Sequence, residues 1–124
     1  MVRLKTVLVV DDEPFVRSLS RRMLEDAGFR VYEAGDGLDA LALLAELGRV
    51  DAVITDLVMP NMDGFALAAY LTRQSPATPV LMVSGFDQHH HDAAALGPLL
   101  PKPFSAEQLV EGLRQVLLRG ARTN

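Results

Sequence analysis

Five residues spread along the chain have side chains that could act on a phosphoryl group: the adjacent acids Asp11 and Asp12, the acid Asp56, the hydroxyl of Ser84 and the ammonium of Lys102. Three carboxylates brought to one place repel, and each raises the others' pKa unless a cation neutralises them. A hard divalent ion with oxygen ligands answers that need, and a site with few carboxylates and room for phosphate oxygen suits Mg2+. Cation, ammonium and hydroxyl together match the three peripheral oxygens of a phosphoryl group in transfer. A carboxylate nucleophile forming an aspartyl phosphate is established chemistry. Asp56 is the best-placed nucleophile, because it closes the apolar run Val53-Ile54-Thr55 and is followed by the turn-forming Pro60, Asn61, Asp63 and Gly64.

For these residues to meet, the elements between them must return each one to the same edge. Thr6-Val7-Leu8-Val9-Val10 reads as a buried strand ending at Asp11. Pro14 then suits the first turn of a helix. In that helix Phe15, Leu19, Met23 and Ala27 form a four-residue ladder expected to face the core, with Gly28 as the stop. Arg17, Arg21 and Arg22 read as solvated residues with a second reading as part of a docking face. Arg30 to Ala34 alternates as a strand, and Leu38 to Leu47, closed by Gly48, is a second helix. The strand Ala52 to Thr55 comes next, followed by a helix opened by Gly64 with Phe65, Ala68 and Leu71 as its inner stripe. Val80 to Val83 is a fourth strand ending at Ser84-Gly85, 87–96 has the pattern of a short helix, and Leu99-Leu100 is a brief fifth strand before Lys102. Ser105 and Gln108 carry a capping-box signal for a last helix striped by Leu109, Val110, Leu113, Val116 and Leu117 and running to about Leu118.

Five strands alternating with five helices predict a doubly wound α/β domain with a five-stranded parallel sheet. The flavodoxin-like order 2-1-3-4-5 makes the first and third strands neighbours where the winding reverses. Asp11, Asp12 and Asp56 then share one edge, with Ser84 and Lys102 from the fourth and fifth strands.

Composition narrows the function classes. The chain has 124 residues, 49% hydrophobic, which suits one domain over 1–124 with its core at about 5–118. A net charge of -4 gives no basic field for nucleic acid or an anionic membrane. The absence of Cys removes disulfides and thiolate sites. The apolar run Val7 to Val10 is too short to span a bilayer, so a cytoplasmic setting is the expectation. His89-His90-His91 would point about 100° apart on a helix, which cannot aim all three at one ion, and they read as a solvated helix start.

With Asp11-Asp12, Asp56 backed by Pro60 and Gly64, Ser84-Gly85, and Lys102-Pro103-Phe104 in this order, the chain resembles the response regulator receiver domain from about Lys5 to Leu118. The resemblance implies a phosphoacceptor of a two-component or phosphorelay system that takes phosphate from a phosphohistidine on a histidine kinase or phosphotransfer domain. It implies Asp56 as acceptor, Asp12, Asp56 and the Val58 backbone carbonyl as Mg2+ ligands with Asp11 acting largely through water, and Lys102 and Ser84 on the phosphoryl group. It also implies a cis Lys102–Pro103 bond, and an output through a downstream protein or an attached domain.

Two departures matter. The family commonly has an aromatic switch residue three positions before the lysine, where this chain has Leu99, so Phe86 is expected to serve as the surface reporter instead. The segment between Ser84 and Lys102 is also short, and both features are similar to receivers at the C-terminal end of hybrid histidine kinases. Rival readings are weaker. A haloacid dehalogenase-type enzyme needs a second Asp two residues after the first, where Val58 stands, and an FMN carrier would meet repulsion from Asp11-Asp12-Glu13. A phosphorylation-independent scaffold on the same fold is the remaining alternative.

Overall fold

The computed structural model describes residues 4–85 and 98–122. Five strands, β1 (Thr6–Val10), β2 (Arg30–Ala34), β3 (Ala52–Asp56), β4 (Val80–Ser84) and β5 (Leu99–Pro101), form one parallel sheet in the order β2-β1-β3-β4-β5. Helices α1 (Pro14–Asp26), α2 (Gly37–Leu47) and α3 (Gly64–Gln74) make the return crossings among the described residues, and α4 (Ala106–Arg122) follows the last strand. This is the flavodoxin-like order expected from the alternation of patterns. The helix expected at 87–96, the three histidines and Phe86 all lie outside the described residues.

Strand register explains why the chemistry-bearing residues converge. Val10 pairs with Thr55 and Asp56 pairs with Val83, so β1, β3 and β4 end almost level. Ser84 pairs with Pro101, which brings the start of the next loop alongside. Because side chains alternate across a strand, each central strand feeds both faces. Val7, Val9, Ile54, Leu81 and Val83 pack against Leu24 of α1 and Leu109, Leu113 and Val116 of α4. Leu8, Val10 and Val53 pack on the opposite side with Ala40 of α2 and Leu67 and Leu71 of α3.

Local signals set the helix ends. Asp36 and Asp63 cap α2 and α3, accepting from the amides of Asp39 and Ala66 at 2.9 Å each. The predicted capping box forms in full: Gln108 N donates to Ser105 Oγ at 3.1 Å and Ser105 N donates to Gln108 Oε1 at 2.8 Å. Gly28 and Gly48 close α1 and α2 at φ of 99° and 82°, the left-handed region a side chain resists.

The α1 ladder expected in the core is a correction. Phe15 is 78% exposed and Leu19 44%, while the fully buried residues of the helix are Ser20 and Leu24. The core on this face takes Leu24, with Met23, the third residue of the expected ladder, packed half-buried against it, so only the first half of that ladder turns to solvent. In α3 the buried set is Gly64, Leu67, Ala68 and Leu71, with Phe65 only half-buried. The last helix continues to Arg122, beyond the expected end near Leu118, which is itself exposed.

Candidate functional site

Asp56 is the last residue of β3 and is 5% exposed. Its strand continues to be held past the acid, with Leu57 N donating to Val83 O at 3.1 Å and Gly64 N to Leu57 O at 2.8 Å. The second bond requires α3 to start hard against the strand end. A Cβ on Gly64 would collide with the Asp56 carbonyl oxygen and the Leu57 Cα, so only glycine allows this approach. Asp56 is thus fixed by backbone contacts from two sides.

Asp11 follows β1 directly, its N–H donating to Ala34 O at 3.1 Å so that the ladder extends one residue into the loop. Its Oδ1 accepts from Glu13 N at 2.9 Å and its Oδ2 from Lys102 Nζ at 3.1 Å. Lys102 Nζ also donates to Asp56 Oδ2 at 3.1 Å, making one ammonium the bridge between two nearly buried carboxylates. Lys102 reaches this point because its own N–H donates to Ser84 O at 2.7 Å, and the Lys102–Pro103 peptide is cis as expected. Ser84 is completely buried beside it.

Asp11, Asp12 and Asp56 each present a carboxylate oxygen within 4.8 Å of the others, with Asp12 exposed and the other two buried. Asp56 Oδ1 is buried without a hydrogen-bond partner among the described residues. A buried carboxylate oxygen left in that state is costly unless something electropositive meets it. The donor set is oxygen only and one of its three acids is open to solvent, which fits Mg2+. Val58, the expected carbonyl ligand, lies on the loop after Asp56 and is 58% exposed.

The electrostatics agree with the geometry. Burial pushes the Asp56 carboxyl above its usual range, Lys102 opposes this, and Asp11 adds to it. Lys102 loses stability as a cation by burial, but the charges of Asp56 and Asp11 outweigh that and raise its pKa. One ammonium is therefore firmly charged between two acids, donating to one oxygen of each and leaving Asp56 Oδ1 unmet among the described residues.

Several site features had no clear mark in the sequence. Arg17, read as solvated or docking, donates from Nη1 to the Asp11 carbonyl at 2.7 Å and from Nε to Glu33 Oε1 at 3.0 Å. Asn61, read as a turn residue, has φ of 69° and donates to Asp36 Oδ2 at 2.7 Å, tying the loop after β3 to the cap of α2. Glu13 stands at the N-cap of α1 without a side-chain capping bond, so the acid that braces the loop is Asp11. Leu99, at the expected switch position, is half-buried against Leu57, Ala68 and Met82.

Comparison with known proteins decides the family. The sequence model of the response regulator receiver domain matches residues 7–114. The chain belongs to the response regulator receiver family. Sensor kinase CckA of Brucella abortus is 40% identical over 117 residues, covering 90% of this chain and 12% of that protein. Response regulator MprA of a Mycobacterium species (strain KMS) is 38% identical over 117 residues, covering 91% of this chain and 50% of the relative. The chain therefore spans half or less of the length of these relatives. Among solved structures, chemotaxis protein CheY4 of Vibrio cholerae superposes with a TM-score of 0.82 at 35% identity, covering 92% of this chain and 99% of CheY4. A receiver protein from Sinorhizobium medicae superposes with a TM-score of 0.85 at 27% identity, covering 97% of this chain and 99% of that one. This receiver domain is thus a two-component signalling module, and receivers of this family interact with histidine kinases and downstream effectors. No helix among the described residues is long and apolar enough to cross a membrane.

Proposed function

We propose that this receiver accepts a phosphoryl group on Asp56 from a phosphohistidine of a partner kinase or phosphotransfer domain. The observation that carries this is the buried Asp56 carboxylate, one oxygen bonded to Lys102 and the other unpartnered, at the mouth of an acidic cluster. In the transfer an oxygen of Asp56 forms a bond to phosphorus as the phosphorus–imidazole nitrogen bond breaks, and the imidazole nitrogen later takes a proton. Lys102 stabilises charge on the arriving phosphoryl oxygens, releasing part of its hold on the acids to do so. Ser84, buried alongside Lys102, donates its hydroxyl to another of those oxygens. Asp11, Asp12, Asp56 and the Val58 carbonyl would hold Mg2+, which supplies charge neutralisation for both the carboxylates and the phosphoryl group.

The rim supports delivery by a protein. Phe15, Leu19 and Val58 are exposed apolar residues on two of the loops and helices that surround Asp56. Between α1 and the 102–104 loop lies a cavity of about 410 Å3 lined by Val16, Leu19, Met23, Lys102, Pro103 and Phe104. An apolar seat beside an anionic pocket suits a helix that brings a phosphohistidine over the acceptor. Output follows from the added charge, close to two negative units, which biases the loop after Ser84 and the surface near β5 and α4. Phosphotransfer and slow self-hydrolysis are then the whole of its chemistry.

The decisive experiment incubates the chain with acetyl phosphate and Mg2+ and reads intact mass. One added phosphoryl group on the wild type and none on Asp56→Ala is the expected outcome. An adduct that survives the substitution, or none on either protein, would favour a scaffold that works without phosphate.

A further inference from the structure

Arg17 holds the backbone of the loop that carries Asp11 and Asp12. It stands in the second turn of α1 with its side chain 20% exposed, and its guanidinium holds two groups at once. Nη1 donates to the carbonyl oxygen of Asp11 at 2.7 Å, and Nε donates to Glu33 Oε1 on β2 at 3.0 Å. Glu33 is itself held by Arg21 Nη1 at 2.9 Å, and Arg21 Nε reaches Glu25 at 3.1 Å. The Asp11 carbonyl belongs to the peptide that joins Asp11 to Asp12. The same loop is pinned on its other side, where Asp11 N donates to Ala34 O at 3.1 Å and Glu13 N donates to Asp11 Oδ1 at 2.9 Å. One rotation of that peptide would move both carboxylates, so whatever holds it sets their common aim.

We propose that Arg17 is a positioning residue of the acidic pocket, clamping the Asp11–Asp12 peptide against Glu33 so that both carboxylates meet Asp56 at a spacing suited to a divalent cation. The fork of a guanidinium is required, because one group must serve a carbonyl and a carboxylate in fixed and different directions. A lysine has the charge without that geometry. The proposal rests on reading the pocket as a Mg2+ site, and the two can fail separately.

A simple electrostatic view makes the opposite forecast. A fixed positive charge this close to the pocket repels a metal ion, so removing it would tighten binding. If the clamp dominates, removing it loosens binding in spite of the lost repulsion.

The test is titration of the full chain with Mg2+ alone, followed by amide shifts of Asp12, Glu13 and Leu57, for the wild type, Arg17→Met and Arg17→Lys. Metal-free hydrogen exchange of the Glu13 amide and thermal unfolding are measured alongside. The expected result is a Mg2+ dissociation constant raised about tenfold in both variants, the usual size for loss of a partner that orients ligands, with faster exchange at Glu13. Arg17→Lys retains the charge and so excludes a purely electrostatic cause, and it serves if Arg17→Met fails to fold. Unchanged or tighter Mg2+ binding in the variants, even with a lowered melting temperature, overturns the clamp and leaves the pocket reading standing. Absence of Mg2+ binding by the wild type overturns both.

Discussion

The body of the sheet and its carboxyl-terminal rim are built on opposite rules. In the body, apolar side chains are buried and charges face solvent: Leu109, Leu113 and Val116 of α4 are packed away while Glu107, Glu111 and Arg114 are exposed. At the rim the pattern reverses, with Asp11, Asp56 and Ser84 buried and Phe15, Leu19 and Val58 exposed. Burial of apolar area drives folding, whereas burial of a carboxylate opposes it. The rim is therefore held in place by the body beneath it and by backbone bonds, at a cost to stability that only binding or catalysis explains.

The contrast is sharpest if the body is broken first. Leu113→Ala removes a fully buried side chain between α4 and the sheet, and unfolding in urea should show a loss of about 2–5 kcal/mol. A loss below about 1 kcal/mol would mean that α4 is not part of the cooperative core. The rim should respond in the other direction. Asp56→Asn is expected to raise metal-free stability at neutral pH by about 0.5–2 kcal/mol, the usual gain when a functional site is relaxed. The sign follows from the raised pKa of Asp56. An acid whose pKa is higher folded than unfolded favours folding while protonated, and that contribution is lost as pH rises through the folded value. The Asn variant has no such loss, so its advantage should grow from near zero at about pH 3 and level off above the folded pKa, with EDTA present throughout. An advantage that is constant from acid to neutral pH would show that the carboxyl is not strained by burial.

The different rules also explain what could be read from the residues in order. Strand cores announce themselves as runs, and the acids and lysine that end them reach the rim once the strand order is known, so Asp11, Asp56, Ser84 and Lys102 were legible. The cap of the last helix was legible because Ser105 and Gln108 answer each other at a fixed spacing, whereas Asp63, which also caps its own helix, carries the same signal as a turn residue. What could not be read is the set of contacts that crosses between loops. Arg17 has the same spacing signal as a solvated arginine, and only the position of β2 brings Glu33 to it. Asn61 and Asp36 lie 25 residues apart and meet through two separate turns. The α1 ladder failed at Phe15 and Leu19 for a related reason, while Met23 does pack on the core: periodicity alone does not fix which side of a helix the sheet covers along its whole length.

Phe15 is the most exposed apolar residue of the rim named above. It is 78% exposed at the start of α1, so it has little folded-state contact to lose. Phe15→Ala should therefore change unfolding free energy by less than about 0.5 kcal/mol. It should also leave the rate of phosphorylation by acetyl phosphate unaltered, since a small donor needs only the pocket. Transfer from a phosphorylated histidine partner is different, because an aromatic ring covered by a partner contributes on the order of 1 kcal/mol or more to its binding. At limiting partner concentration the transfer rate should fall about fivefold, which is what that energy amounts to. Equal loss with both donors would place Phe15 in the chemistry or the fold, and no loss with either would leave this exposed apolar edge without a role in delivery.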